Sequence, residues 1–424
     1  MSSGRLSAYS AFLRTRWLAW RLRTRGAVET HRARNLDRMM REVVTRRPYY
    51  RDKGITRFDQ MPVMDKSSLL ADFSQLNSAG LSADQVREAL ERGEERLDGY
   101  VIGRSTGTSG NRGYYVISER ERFVWLGTLL AKTLPDALWA RHRVALAMPG
   151  LPRLYTSASS GSRIDLRFFD LARGVEAWAG ELAAFSPDTI VAPPKVLRYL
   201  AERDLLRATH LFSGAEVLDQ IDRSIIEDRT GRIVRQIYMA TEGLFGVACP
   251  YGTLHLAEDA VAFEWQAAAE RSALVTPLIT DFTRRVQVMA RYRMNDLLEL
   301  SGTPCPCGSP FQAVARIEGR QDDIFLLPGR DGGRRPLTPD VLRNAVVDAD
   351  RRITDFRIIQ READHVEVRL EETVAAEADA AVEASLVRLF GRTGLAPVRI
   401  SVERGIALPL DRKLRRVCRE WHEG

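Results

Sequence analysis

Between residues 120 and 300, short apolar runs rich in β-branched residues alternate with stretches of helical periodicity, and this alternation constrains the fold more than any other feature of the chain. Val144–Met148 and Thr189–Ala192 read as buried strands, Val175–Phe185 and Val196–Arg203 as helices. Strands that are apolar on both faces must be covered on both, which predicts an α/β domain with mixed or parallel sheets covered by helices. Near 318–340 the character changes, because Gly319, Pro328, Gly329, Gly332, Gly333, Pro336 and Pro339 crowd a polar stretch that reads as a flexible joining segment. Beyond it, strands at Asp355–Gln360, His365–Glu371 and Pro397–Glu403, with an Ala-rich helix over about 375–391, predict a small α+β domain. The expected division is a basic helical arm over 1–44, a large domain over 45–318 and a small C-terminal domain over 319–424.

Charge enters because it is unevenly placed. The 424 residues carry a formal +7, which by itself points toward nucleic acid. Residues 1–50, however, hold twelve arginines, no lysine and three acids, a charge of +9, so the remaining 374 residues carry −2. The basic balance is therefore a property of the arm, and no nucleic-acid partner is expected. Within the arm, Leu6, Tyr9, Leu13, Trp17 and Trp20 recur at steps of three and four, predicting an amphipathic helix with arginines on its other face. The expectation is that this helix docks on the large domain, with an anionic membrane or a protein partner as the alternative. No run of about 18 apolar residues exists, so no transmembrane segment is expected, and the arginines interrupt any signal-peptide core; a cytoplasmic protein is the default.

The segment Ser105-Thr106-Gly107-Thr108-Ser109-Gly110-Asn111-Arg112-Gly113 interleaves small hydroxyls with glycine. Such a loop lets backbone N–H groups approach an anion while hydroxyls donate further hydrogen bonds, as a triphosphate requires; the same composition also suits a plain flexible loop. A second constellation is made of thiols. Cys249 and His255 lie six apart, and Cys305 and Cys307 flank Pro306 about 50 residues later; three thiolates and one imidazole complete a closed tetrahedral Zn²⁺ shell, the mark of a structural site. The alternative is free cysteines buried as small hydrophobes.

Downstream of the loop come Ser213-Gly214-Ala215-Glu216, Tyr238-Met239-Ala240-Thr241-Glu242-Gly243, Tyr292-Arg293-Met294-Asn295-Asp296, Gly319-Arg320-Gln321-Asp322 and Pro409-Leu410-Asp411-Arg412-Lys413. In this order and spacing the set resembles the adenylate-forming superfamily of acyl-CoA synthetases and adenylation domains. Pro48-Tyr49-Tyr50-Arg51, Pro62-Val63-Met64-Asp65-Lys66 and Cys305-Pro306-Cys307-Gly308 bring it nearest to phenylacetate-CoA ligases and deazaflavin-coenzyme synthetases.

The resemblance implies roles for particular residues. Ser105 to Gly110 would wrap the β- and γ-phosphates of ATP, although the lysine that usually ends this loop is replaced by Asn111, Arg112 and Gly113. Gly214, Ala215 and Glu216 would line the adenine pocket, Tyr238 would stack on the adenine, Thr241 would bond the α-phosphate and Glu242 would hold Mg²⁺. Asp296 would accept the ribose hydroxyls, with Met294-Asn295 where the family commonly has Thr-Gly, and Arg320 would approach ribose or phosphate. Asp322 would be the hinge of a mobile lid. Lys413, one of only five lysines, would stabilise the transition state as pyrophosphate leaves. Phe168-Phe169-Asp170, the Val191–Pro194 strand end and the Tyr238–Phe245 turn would border the acid, and those same Phe and Pro residues suit a core equally.

The resemblance thus implies an AMP-forming acid–thiol ligase that activates a carboxylic acid, an aromatic one by its likeness to phenylacetate-CoA ligases, and passes it to CoA or a phosphopantetheine carrier protein; a homodimer is compatible. Two rivals stand beside it: AMP transfer to a phenolic hydroxyl, and a degenerate adenylate-binding protein.

Overall fold

In the computed structural model, residues 3–105, 113–148, 163–268, 272–406, 410 and 415–422 are described. The chain divides into two units, one comprising 1–266, 277–294 and 300–315, the other 267–276, 295–299 and 316–424. The expected α/β class is the observed one.

At the centre of the first unit, five strands run parallel in the spatial order Ile164–Asp170, His142–Met148, Thr189–Ala192, His210–Ser213 and Val234–Ala240. Gly243–Ala248 and Leu254–Leu256 continue the sheet antiparallel. The inner strands are apolar on both faces because helices cover them. The helix Val175–Phe185, for example, buries Val175, Trp178, Ala179, Leu182 and Phe185, and Trp178 lies 5.3 Å from Phe169 of the edge strand. The chain reverses direction across the sheet at His142–Met148, which has its successor Ile164–Asp170 on one side and Thr189–Ala192 on the other. The carboxyl ends beside such a switch point are where open α/β sheets place ligands.

The arm docks, but through a different face from the one its spacing selects. Helix α1 (Ser3–Arg21) packs against the helix Glu119–Thr133, whose start is fixed by a Ser118/Glu121 capping box. Ala11, Phe12, Thr15 and Leu18 are buried, whereas Leu6, Tyr9, Leu13, Trp17 and Trp20 are exposed. Small residues decide the matter: a methyl group at Gly127 would lie 2.1 Å from the Ala8 carbonyl oxygen, so the two backbones meet where only glycine fits. Helix α2 (Arg25–Glu42) follows, its first residue held by Glu258 at 2.6 and 2.7 Å.

The second unit has its own four-stranded sheet, ordered Arg399–Arg404, His365–Leu370, Phe356–Glu362 and Val417–Arg419, with helices Pro339–Val347 and Glu377–Arg392 packed on it. Within the 318–340 segment expected to be a flexible joint, residues 325–337 form a β-hairpin, Phe325–Pro328 paired with Arg334–Leu337. Phe325, Leu327 and Leu337 are buried in the same core as Leu342, Ile358 and Leu386. Its glycines serve the turn, where Gly332 adopts φ +79°, and its alternate apolar residues anchor it. Among the described residues no helix is long and apolar enough to cross a membrane.

Candidate functional site

The Thr241-Glu242 pair forms the two-residue turn between Val234–Ala240 and Gly243–Ala248, with Ala240 paired to Gly243. Its shape is enforced from behind. One terminal nitrogen of Arg284 donates to the carbonyl oxygens of Thr241 and Glu242, each at 2.9 Å. Glycine at 243 leaves room for the buried Asp281, since a Cβ there would sit 3.0 Å from its carboxylate oxygen, a tight contact. Burial raises the pKa of Asp281, while Arg284 and the hydrogen bonds from Thr283 oppose that rise. The Tyr292 hydroxyl donates to Oε1 of Glu242 at 3.2 Å, orienting a half-buried carboxylate.

The stem of the Ser/Thr/Gly loop closes beside this turn. The Ser105 N–H donates to the Gly113 carbonyl at 2.8 Å, and the Gly113 N–H donates to Ser105 Oγ at 2.9 Å. Thr106, Gly107, Thr108, Ser109 and Gly110, with Asn111 and Arg112, lie outside the described residues, as does Lys413. Gly113, Thr241, Glu242, Arg284, Tyr292 and Lys66 border one small cavity of about 10 Å³, room for about a single water, beside the loop stem. Lys66 was not assigned a role from the motifs. It opens the helix Lys66–Ala71, whose N-cap Asp65 accepts from the Ser68 N–H at 2.8 Å, and its Cε lies 3.3 Å from where a Cβ on Gly113 would be. Hydrogen bonds from the Ser68 backbone and from the Ser67 and Ser68 hydroxyls hold the Asp65 carboxyl down to about 2. The signal that points to Lys66 is scarcity, since it is one of five lysines in the chain; Arg284 has no comparable signal. Arg284 Nη1 is buried with no hydrogen-bond partner among the described residues, a cation bordering the cavity with an unused donor.

Gly214, Ala215 and Glu216 follow the strand His210–Ser213, which lies parallel to and beside Val234–Ala240, so they leave the sheet at the same edge as the Thr241 turn. The Gly214 N–H donates to the Ala192 carbonyl at 3.1 Å. Ala215 has φ +69°, a left-handed conformation costing a residue with a side chain about 1–2 kcal/mol, strain of the kind that collects at binding sites. Tyr238 is buried in its strand, 5.4 Å from the Phe245 ring. Phe169, offered as a border of the acid pocket, is a core residue packed on Trp178 and Phe185.

Asp296, Arg320 and Asp322 belong to the second unit. Asp296 begins the strand Asp296–Leu300 and is half-buried, and Arg320 ends the strand Ala313–Arg320. The Asn295 side chain clips the turn Gln321–Asp323 in both directions: its amide donates to Asp322 at 2.6 Å and its oxygen accepts from the Asp322 N–H at 3.3 Å. That contact accounts for an asparagine at this position.

The thiol constellation is assembled in the first unit. The ligand atoms of Cys249, His255, Cys305 and Cys307 lie within 4.8 Å of one another, with Cys249 Sγ 3.7 Å from Cys305 Sγ. Zinc–sulfur bonds of about 2.3 Å at tetrahedral angles place two sulfurs about 3.75 Å apart, the observed spacing. Each cysteine segment is a tight turn ending in a positive-φ glycine: the Gly252 N–H bonds the Cys249 carbonyl, and the Gly308 N–H bonds the Cys305 carbonyl. His255 Nδ1 is 3.1 Å from the Phe311 carbonyl oxygen, which leaves Nε2 toward the sulfurs.

No protein-family model matches the chain, and no curated protein matches it in sequence. Solved structures do match in fold. A 2-hydroxyisobutyryl-CoA ligase in the postadenylation state with 2-HIB-AMP has a TM-score of 0.66 at 19% identity, over 93% of this chain and 89% of that one. The GH3.15 acyl acid amido synthetase has a TM-score of 0.56 at 15% identity, over 91% and 88%. ATP-bound MatB from Rhodopseudomonas palustris has 0.53 at 16% identity, over 71% and 63%. At these identities the likeness is one of fold.

Proposed function

We propose that the protein activates a carboxylic acid with ATP and passes the acyl group to a thiol. The observation that carries this reading is the meeting of the loop stem, Thr241, Glu242, Lys66 and Arg284 around one cavity, on a fold shared with ligases whose structures hold ATP or an acyl-AMP. Two cations, a threonine hydroxyl and an oriented carboxylate suit a triphosphate with a hard divalent ion. Glu242 would hold Mg²⁺, which would neutralise charge on the phosphate oxygens. A carboxylate oxygen of the acid attacks the α-phosphorus, the bond from that phosphorus to the β-phosphate bridging oxygen breaks, and pyrophosphate leaves. A thiolate of CoA or of a phosphopantetheine carrier then attacks the acyl carbon and AMP departs. Lys66 would add a cation beside the loop stem, whose end carries Arg112 in place of the usual lysine, and this favours turnover over a degenerate binder. Ser105–Gly110, Gly214–Glu216, Tyr238, Asp296 and Arg320 are assigned to ATP, Lys413 to the adenylation step and Asp322 to a hinge. An aromatic acid is the substrate class in the ligases that the sequence resembles most.

Acid-dependent exchange of labelled pyrophosphate into ATP tests the reading, with aromatic and aliphatic acids, each with and without CoA. Exchange that requires an acid, with thioester formed only when CoA is added, is the expected result. AMP transferred to a phenol in the absence of both acid and thiol would replace the reading with the hydroxyl-acceptor one.

We further infer a structural Zn²⁺ held by Cys249, His255, Cys305 and Cys307, on the strength of their spacing and the two knuckle turns. Such an ion would staple two loops of the first unit. Elemental analysis of protein purified without added metal should find one zinc per chain, and Cys305→Ser should lose it; a metal-free wild-type protein of full stability refutes the assignment.

A further inference from the structure

Among the described residues ten large hydrophobic side chains are exposed, and five of them lie on α1: Leu6 at 53%, Tyr9 at 46%, Leu13 at 44%, Trp17 at 46% and Trp20 at 70%. At 3.6 residues per turn these five occupy an arc of about 80° and a line about 21 Å long. On the same wheel, Arg5 and Arg16 flank the arc on one side, and Arg14 and Arg21 flank it on the other. The buried residues Ala11, Thr15 and Leu18 lie on the opposite side, so the stripe points away from the body that the helix docks on. The guanidinium of Arg21 lies 4.8 Å over the Trp17 ring, and α1 contains no acid.

We propose that this outer face of α1 seats the protein on an anionic lipid surface. A straight apolar stripe between two rows of arginine matches a plane whose headgroups are negative and whose acyl region begins just below them. Tryptophan and tyrosine rings favour that boundary, and arginine reaches from it to phosphate. Charge selects the occupant. A second copy of the chain would bring arginine rows against arginine rows with no acid between them, whereas anionic headgroups neutralise both rows at once. The helix is too polar to span a bilayer and lies along it instead. The proposal is independent of the reaction assigned above.

The test is flotation of the full-length protein with vesicles of phosphatidylcholine alone, or with about 30 mol% phosphatidylglycerol. The protein should float with the anionic vesicles only, and about 0.5 M NaCl should release it. Trp17→Ser with Trp20→Ser should weaken partitioning at least about tenfold, and Arg14→Glu with Arg16→Glu should do the same. Both pairs should leave the unfolding temperature unchanged, since these side chains are exposed. Failure of the wild type to float, or equal binding by both pairs, overturns the proposal. So does a dimer seen by light scattering that the tryptophan pair dissolves while lipid binding is absent, because the stripe would then be a contact between copies.

Discussion

Gly127 and Gly180 both sit inside helices, where replacing glycine by alanine ordinarily stabilises a protein by about 1 kcal/mol through lower backbone entropy in the unfolded chain. Helix propensity therefore predicts one sign for Gly127→Ala and Gly180→Ala, and the structure predicts two. At Gly180 a methyl group would meet nothing within 4 Å, so the ordinary gain of about 0.5–1 kcal/mol should appear. At Gly127 the methyl carbon would stand 2.1 Å from the Ala8 carbonyl oxygen, 2.8 Å from its carbon and 3.0 Å from its Cα. A relaxed carbon–oxygen contact is about 3.2 Å or more, so α1 would have to move by about 1 Å across a packed interface. Overpacking of that kind costs about 1–3 kcal/mol, which outweighs the propensity gain. Urea denaturation followed by far-UV circular dichroism should place the two variants on opposite sides of the wild type. Their melting temperatures should differ by about 2–5 °C, since 1 kcal/mol moves a unit of this size by under about 2 °C. If Gly127→Ala proves as stabilising as Gly180→Ala, the close docking of α1 on Glu119–Thr133 is wrong, and with it the assignment of the stripe on α1 as an outer face.

Two predictions concern Lys66, which borders the cavity, and the N-cap of the helix it opens. Lys66→Ala should lower acid-dependent pyrophosphate exchange by about 10²-fold with unchanged circular dichroism, since a positioned charge at developing phosphate charge contributes about that much, and Lys66→Arg should restore part of it. The carboxyl of Asp65 is held down to about 2 from an ordinary 3.8 by the Ser68 backbone and the Ser67 and Ser68 hydroxyls. Its contribution to stability is therefore complete above about pH 4 and is lost as pH falls through about 2. Asp65→Ala should cost about 1 kcal/mol at neutral pH, as loss of an N-cap does, and should flatten that acid limb in a pH series of melting curves.

The order of strands and helices was legible in the sequence because it follows from local periodicity. Val144–Met148 and Thr189–Ala192 are apolar on both faces, and Val175–Phe185 is apolar on one, whatever the rest of the chain does. Thr241 and Glu242 were singled out by resemblance to a family motif and by no local pattern; that they form a two-residue turn is seen in the pairing of Ala240 with Gly243. Arg284 was not legible, because its work is to hold two carbonyl oxygens about 40 residues away in sequence, and no spacing rule encodes such a contact. The 318–340 segment misled because glycine and proline mark a turn as readily as a joint; burial of Phe325, Leu327 and Leu337 in one core decided between them.

The arm shows the division most sharply. By itself the sequence determined that residues 6–20 form a helix with one broad apolar stripe and many arginines. It could not determine which side of that helix the body takes, because docking was decided by Gly127 and Ala8, small residues that carry almost no hydrophobic signal but let two backbones touch. Tertiary packing chose the face that fits closest over the face that is most apolar, and so left Trp17 and Trp20 facing outward.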